Sequence, residues 1–220
     1  MTLELNKKGF SINHKTVLRL TKILGLTSKV RLKKYKSYKG EIGKIAPNEI
    51  QRDFTAKKPN QKWTTDVTEV KIKDKKIYLS PILDMFNSEI ISYSISYSPN
   101  FNMIKDMLSE AFNKQDNLKG LILHSDQGWH YQLQQYQNIL KDKEIIQSMS
   151  RKGNCLDNSI MENFFGIMKT ELLYIEEFNS IEEFIIDLEK YIVYYNTIRI
   201  KTKLKGMSPI EYRIHSSKIA

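Results

Sequence analysis

The chain has 220 residues and a formal charge of +10, and 40% of its residues are hydrophobic. This length accommodates one domain of ordinary size with a small appendage, and the apolar fraction is sufficient for a core. No apolar run reaches the length of a membrane span and no signal peptide opens the chain, which predicts a cytoplasmic protein. The single cysteine, Cys155, excludes an internal disulfide framework and a cysteine-based zinc site, and we interpret it as an incidental thiol.

The positive charge is concentrated at the start of the chain. Residues 1–60 contain 15 of the 35 Lys and Arg residues but 4 of the 25 Asp and Glu residues. A localised basic arm is typical of proteins that bind a polyanion, most often nucleic acid. The alternative is a basic tail that serves only solubility.

Two short helices are predicted in a helix-turn-helix-like segment at 1–28. A helical pattern over residues 2–8 stops at Gly9, and Asn13 can cap a second helix with an apolar face. A segment of this length buries little surface and is not stable by itself. We therefore expect it to be a truncated piece of a larger DNA-binding domain. A helical hairpin that packs on the main domain is the alternative. Lys15 and Arg19, on the polar side of the second helix, are candidate DNA contacts.

Residues 29–60 are predicted to form a basic linker. Lysines alternate there with Tyr35 and Tyr38. Positive side chains with interspersed aromatic rings can follow a phosphate backbone and stack on bases. Lys33, Lys34 and Lys36 are therefore candidate DNA contacts.

From residue 61 the pattern changes to strands. The order of elements is βββαβαβα, in which an antiparallel meander is followed by parallel strands joined by helices. This order predicts an α/β, RNase H-like domain over 61–175, with a mixed five-stranded sheet flanked by helices. A C-terminal helical extension is expected at 176–220. The strands are predicted at 63–72, 77–86, 89–96, 121–124 and 145–149.

Three carboxylates in this domain have the arrangement of metal ligands. Asp66 lies in the middle of a predicted apolar strand, where a charge needs a reason. Asp126 follows a short buried strand, at the end where open α/β sheets place ligand sites. Glu162 lies on a predicted helix and shares one stripe with Asn158 and Lys169. Three oxygen ligands with open positions suit Mg²⁺ or Mn²⁺ rather than zinc.

Other acidic residues and His124 have ordinary structural explanations. Asp74 is typical of a turn, Asp84 of a strand end before a turn, and Asp157 of a helix cap. His124 lies in a buried strand, which favours a hydrogen-bonded structural histidine over a metal ligand. The remaining histidines show no spacing pattern, so no zinc site is predicted.

The motifs around the three carboxylates resemble the catalytic signature of DDE transposases. More narrowly, they resemble the integrase-like product of the second reading frame in two-frame bacterial insertion sequences. The resemblance covers nearly the whole chain. Its motifs are Trp63-Thr-Thr-Asp66, His124-Ser-Asp126-Gln-Gly128, Gly153-Asn154, Asp157-Asn158, Glu162, Phe164-Phe165, Lys169 and Glu171, with Tyr195-Asn196, Arg199 and Met207-Ser208-Pro209 in the tail. It departs from the family pattern at Gln127 and at Trp129-His130.

The resemblance implies a DDE polynucleotidyl transferase with an integrase catalytic core. Such an enzyme cleaves the DNA ends of an insertion sequence and transfers them into target DNA. Asp66, Asp126 and Glu162 would hold two Mg²⁺ ions, with Mn²⁺ as a substitute. The implied partners are double-stranded DNA, at least one further copy of the chain, and an upstream helix-turn-helix subunit or fusion partner. The implied location is the bacterial nucleoid.

The resemblance also implies DNA contacts near Glu162. Lys169 would hold a phosphate, and Asn158 would orient the DNA end or a carboxylate. Arg151 and Lys152, in the basic loop before the helix, would contact the DNA backbone. Two alternatives to a transposase stay open, namely an RNase H-like nuclease and a non-catalytic DNA-binding remnant of a transposase.

Overall fold

The structure, a computed structural model, describes residues 1–26, 43–115 and 117–218, except for the side chain of Cys155. Lys33, Lys34 and Lys36, predicted as DNA contacts, lie outside the described residues, as does the first part of the predicted linker. In the three described ranges no helix is long and apolar enough to cross a membrane.

A mixed sheet forms the centre of the described structure. Its strands are β1 Lys62–Thr65, β2 Thr68–Ile72, β3 Lys75–Asp84, β4 Ile90–Ser96, β5 Ile122–Ser125 and β6 Ile146–Met149. β1 pairs with β3 antiparallel and with β5 parallel, so β1 is a central strand. β1 and β2 both lie along the same edge of β3, while β4 and β6 complete the two sides. The sheet is therefore five strands wide, and the predicted RNase H-like arrangement is confirmed.

The predicted first strand, 63–72, is interrupted at Asp66 and Val67, between β1 and β2. Both halves pair with β3 in the same register, and this register places Pro81 opposite Asp66. Proline has no N–H for a ladder hydrogen bond, so the break coincides with a position where pairing is weak. Asp66 thus follows the carboxyl end of β1, and its predicted place in the middle of a strand is wrong.

Helices cover the sheet and enclose two hydrophobic cores. One core contains Trp63, Met107 and Tyr131 beneath the helices Phe101–Asn113 and Gln134–Asp142, and the other contains Phe164 and Phe184 beneath Ser159–Met168 and Ile181–Thr197. Leu133, which has an extended backbone, separates the two helices that follow the turn at Asp126. The helices are α1 Thr2–Lys7, α2 His14–Ile23, α3 Phe101–Asn113, α4 Trp129–Gln132, α5 Gln134–Asp142, α6 Ser159–Met168, α7 Ile181–Thr197 and α8 Pro209–Ser217.

The N-terminal hairpin, α1 and α2, contacts the C-terminal extension. Lys7 pairs with Glu211 of α8 at 3.8 Å, and the side chain of Leu3 packs against Gly206. Asn13 caps α2 by accepting a hydrogen bond from the backbone N–H of Lys15 at 2.8 Å, as predicted. In α2 only Val17 is buried, so most of the predicted apolar face stays exposed in the described structure.

Candidate active site

Asp66 and Asp126 lie side by side just beyond the carboxyl ends of two neighbouring strands in the interior of the sheet. β1 and β5 are parallel neighbours with Thr64 opposite His124, and continuing this register by two residues places Asp66 opposite Asp126. Adjacent strands are separated by about 4.8 Å. The carboxyl ends of two parallel strands therefore bring the two predicted acids together, at the edge where α/β sheets bind ligands.

Each of these carboxylates is held by one backbone hydrogen bond. The N–H of Val67 donates to Asp66 Oδ1 at 2.7 Å, and the N–H of Gly128 donates to Asp126 Oδ1 at 2.8 Å. Within the described ranges, Oδ2 of neither residue accepts a hydrogen bond. Burial, and then the charge of Asp126, raise the pKa of Asp66, and burial raises the pKa of Asp126. The surrounding protein therefore disfavours the ionised form of the pair.

Helix α6 brings Glu162 into the same electrostatic field. The charge of Glu162 raises the pKa of Asp66 further, whereas Lys169 lowers it. The Nζ of Lys169 donates to Thr68 Oγ1 at 2.7 Å, just beyond the gap that contains Asp66. In the part of the chain that the structure describes, no three His, Cys, Asp or Glu side chains form a complete metal-binding group. The three predicted ligands are thus close enough to interact electrostatically, but their side chains are not arranged as a complete metal-binding group.

A buried hydrogen bond fixes α6 relative to β1. Thr64 Oγ1 donates to Asn158 Oδ1 at 2.7 Å, and both residues are buried. Asn158 immediately precedes α6, and Thr64 lies two residues before Asp66. This bond therefore sets the position of the helix that carries Glu162 against the strand that leads to Asp66.

Asp157 has a different role from the predicted helix cap. Its buried carboxylate accepts hydrogen bonds from Arg52 Nε at 2.8 Å, from Arg151 Nε and Nη2 at 2.9 Å each, and from Asn48 Nδ2 at 3.1 Å. The two arginines, of which Arg151 has the larger effect, hold the pKa of Asp157 well below its usual range. The cap prediction is wrong because Asp157 lies in a 3₁₀ turn before α6 and binds partners that are distant in sequence. We call Asp157, Arg52, Arg151 and Asn48 the Asp157 cluster.

His124 is a structural histidine, as predicted. Its Nδ1 lies 2.9 Å from Ser148 Oγ, and its Nε2 lies 2.9 Å from the backbone oxygen of Asp157. Since a carbonyl oxygen only accepts, Nε2 carries the proton. Burial lowers the pKa of His124 to about 4, so the ring is neutral near pH 7.

The other predicted site residues differ in their exposure to solvent. Lys152 is exposed in the loop before α6, and Lys15 and Arg19 are exposed on α2. Arg151 is 58% exposed although it binds Asp157, whereas Asn158 is buried.

The carboxylate of Asp84 stabilises a turn, as its position at a strand end predicts. It accepts hydrogen bonds from the backbone N–H groups of Asn60 and Phe86, at 2.8 and 2.9 Å.

Sequence reasoning did not identify Tyr131. This residue follows the Asp126 turn and is almost fully buried, yet its hydroxyl has no hydrogen-bond partner in the described structure. Its position in the sequence could have identified it, because it occupies an apolar position of a helix that directly follows the Asp126 turn.

Taken together, the sheet order and the acids at the ends of β1 and β5 define an RNase H-like fold of the integrase catalytic-core class. Solved structures show the same fold. A chain of the simian T-cell lymphotropic virus intasome matches with a TM-score of 0.61 and 18% identity, over 79% of this chain and 60% of that one. The HTLV-2 integrase catalytic core domain in complex with magnesium matches with a TM-score of 0.55 and 20% identity, over 71% of this chain and 98% of that one.

Sequence comparison gives the family. Two profiles described as "Integrase core domain" match residues 56–155 and 162–216. InsK of insertion sequence element IS150 from Escherichia coli is 53% identical over 97% of this chain and 75% of its own length. A transposase-like protein of Haemophilus influenzae is 53% identical over 98% and 99%, and the transposase of IS904 from Lactococcus lactis is 34% identical over 99% and 87%. The chain belongs to the insertion-sequence transposases that carry an integrase core domain, which are polynucleotidyl transferases.

Proposed function

We propose that this transposase cleaves the DNA ends of an insertion sequence and joins them to target DNA, with Asp66, Asp126 and Glu162 as metal ligands. The observation that carries the proposal is the pair of half-buried carboxylates at the ends of β1 and β5. Each accepts one hydrogen bond through Oδ1, and among the described residues nothing donates to Oδ2 of either. Two carboxylates held this close favour a bound cation, because burial and mutual repulsion disfavour their ionised forms in its absence.

The donor set fits a hard divalent cation. All three proposed ligands are carboxylates, which suit Mg²⁺ or Mn²⁺. The HTLV-2 integrase core that shares this fold is described in complex with magnesium. Asp66, Asp126 and Glu162 would hold two such ions, which would supply activation of the attacking oxygen and stabilisation of the leaving oxygen in phosphodiester exchange. The backbone N–H groups of Val67 and Gly128 orient the two aspartates for this role.

Other side chains would position the DNA. Lys169 lies close enough to Asp66 to lower its pKa, so its ammonium group can bind a phosphate beside the reacting bond. Asn158 acts indirectly, by holding α6 against β1 through Thr64.

DNA approaching this edge would meet the exposed Lys152 and the exposed part of Arg151. Lys15 and Arg19 on α2, and Lys33, Lys34 and Lys36 outside the described residues, remain proposed backbone contacts. Because an insertion joins two DNA ends, we propose that at least two copies act together, with an upstream helix-turn-helix subunit or fusion partner as a further component.

The decisive test is Glu162→Gln. The assay measures Mg²⁺-dependent cleavage and strand transfer with duplexes that carry the inverted repeats flanking the gene. We expect activity to fall by about 1000-fold or more, because the carboxamide has the shape of the side chain but not its charge. Asp106→Asn, on the exposed side of α3, is the matched control and should leave activity and thermal stability unchanged.

Full activity in the Glu162→Gln protein would show that the site is assigned wrongly. An RNA–DNA hybrid and a branched DNA are included as substrates to test the nuclease alternative. Cleavage of either without any reaction on element ends would favour that alternative. Salt-sensitive DNA binding without metal-dependent cleavage would favour a non-catalytic remnant.

A further inference from the structure

The hydroxyl of Tyr131 is buried without a hydrogen bond. Tyr131 is 1% exposed, and its oxygen has no partner in the described structure. The Thr65 hydroxyl is close enough to lower the pKa of Tyr131, but it donates to Met107 Sδ at 3.5 Å, and the two hydroxyls do not have the geometry of a hydrogen bond. Burying a polar group without a partner is unfavourable, and such groups are rare. A hydroxyl in this position therefore needs an explanation.

Tyr131 is adjacent to the aspartate pair. A Cβ atom built on Gly128 would lie 2.9 Å from Asp126 Oδ1 and 3.4 Å from both Cδ2 and Cε2 of Tyr131. The Asp126 carboxylate and the edge of the Tyr131 ring therefore flank the same glycine. The backbone N–H of Tyr131 also donates to the Gly128 oxygen at 3.1 Å, which keeps the ring next to this turn.

The ring is held firmly on its other sides. It packs edge to face against Tyr136 with centroids 5.4 Å apart, and Gln147 Nε2 donates to its backbone oxygen at 2.7 Å. Burial and the charges of Asp66 and Asp126 raise the pKa of Tyr131, so its hydroxyl stays protonated and can donate. The Tyr131 ring is thus fixed beside the Asp126 turn, and both aspartates are close enough for their charges to act on its hydroxyl.

We propose that Tyr131 is a positioning residue for the metal site, whose hydroxyl donates a hydrogen bond to a carboxylate oxygen of Asp66 or Asp126 when a divalent cation aligns those side chains. This inference depends on the proposed metal-binding role of the aspartates. In the metal-free protein the donor has no partner, and in the metal-bound protein it gains one. The hydrogen bond then adds to metal affinity and fixes the rotation of the carboxylate.

Tyr136 provides a matched control. Its hydroxyl is also buried and also has no hydrogen-bond partner in the described structure. Burial alone raises its pKa, with no contribution from the aspartates. Tyr131→Phe and Tyr136→Phe therefore remove the same atom from similar surroundings, and only the first removes it from the carboxylate pair.

The experiment measures Mn²⁺ binding by the free-ion EPR signal in the wild type, Tyr131→Phe, Tyr136→Phe and Asp66→Asn. We expect Tyr131→Phe to weaken binding about tenfold, the size of one hydrogen bond to a charged group, and Tyr136→Phe to change it less than about twofold. The metal-free Tm of Tyr131→Phe should equal or exceed that of the wild type, because the hydroxyl has no partner to lose. Equal Mn²⁺ affinity in Tyr131→Phe and the wild type would overturn the inference.

Two further results separate the possible failures. If the wild type binds no Mn²⁺, or if Asp66→Asn binds it as well as the wild type, the proposed metal site itself is wrong. If Tyr131→Phe lowers only the metal-free Tm, the hydroxyl has a structural partner and the inference fails. Should Tyr131→Phe not fold, the Cζ resonances of ¹³C-labelled tyrosines are followed in Tyr136→Phe during Mg²⁺ addition. A shifted buried resonance supports the inference, and unchanged resonances contradict it.

Discussion

A buried carboxylate, Asp157, and a half-buried pair, Asp66 and Asp126, lie close together in this protein and have opposite surroundings. In the Asp157 cluster, one buried carboxylate receives two arginines and an asparagine, and its pKa is lowered. At the ends of β1 and β5, two carboxylates receive one backbone N–H each, and their pKa values are raised. The first group is neutralised by the protein itself, and the second is not.

This difference separates a structural carboxylate from a functional one. A charge removed from water must be paired, or its ionised form becomes unfavourable. The Asp157 cluster achieves pairing with side chains from the segment before β1 and the loop before α6, so it fastens these parts together. The Asp66 and Asp126 pair leaves the pairing to an outside cation, and this is the property that a metal-dependent active site requires.

The largest expected effect comes from Asp66→Asn. We expect strand transfer to fall by about 1000-fold or more and Mn²⁺ affinity to be lost, since a neutral amide cannot replace the charged ligand. The metal-free protein should be as stable as the wild type or more stable, because a repulsion has been removed. Thermal melts and metal titrations on the same samples check both parts. Reduced metal-free stability would mean that Asp66 is a structural residue like Asp157.

Asp157→Ala should show the reverse pattern. Its removal leaves Arg52 and Arg151 without their shared partner and should lower the free energy of unfolding by about 3 kcal/mol. The protein that remains folded should keep Mn²⁺ affinity within about threefold of the wild type. Urea denaturation followed by circular dichroism gives the stability. A protein of unchanged stability that no longer binds metal would contradict the distinction between the two groups.

The two groups also predict opposite responses to pH in the metal-free protein. The lowered pKa of Asp157 stabilises the fold above about pH 4, and this contribution is lost as the pH falls below that value. The raised pKa values of Asp66 and Asp126 act in the other direction, so stability falls as the pH rises from about 4 through those values. We expect Asp126→Asn to make this loss smaller, because the variant has one ionisable carboxyl fewer and no longer repels Asp66.

Saturating Mg²⁺ should remove the same loss in the wild type, because the bound cation favours the ionised carboxylates. Unfolding free energies measured from pH 4 to 8, with and without Mg²⁺, test this expectation. Identical pH profiles for the wild type and Asp126→Asn would show that the pair is already neutralised by other means.

The sequence contains much of the fold but only part of the site. The strands are short alternating or apolar runs between clear turns, so their order and the RNase H-like class could be predicted. Asp66, Asp126 and Glu162 were identifiable because each stands in a motif that resembles one family. These features depend on residues that are neighbours in the sequence, so they can be predicted from the sequence alone.

The remaining features depend on residues that are distant in sequence. The break at Asp66 coincides with Pro81, which the register of β3 places opposite it. Asp157 was interpreted as a cap because its partner Arg52 lies 105 residues away. The unpartnered hydroxyl of Tyr131 becomes visible only when the surroundings of the ring are known.

The smallest expected effect concerns Arg151, which belongs to the Asp157 cluster and is also a proposed DNA contact. Arg151→Ala should lower the free energy of unfolding by less than Asp157→Ala does, because Arg52 still pairs with Asp157. It should also reduce the slope of log binding constant against log salt by about one. Lys152→Ala should reduce that slope equally. Fluorescence anisotropy with duplex DNA from 50 to 200 mM salt gives the slopes. An unchanged slope for Arg151→Ala would assign this arginine to Asp157 alone, so that the structural group and the DNA-binding surface would share no residue.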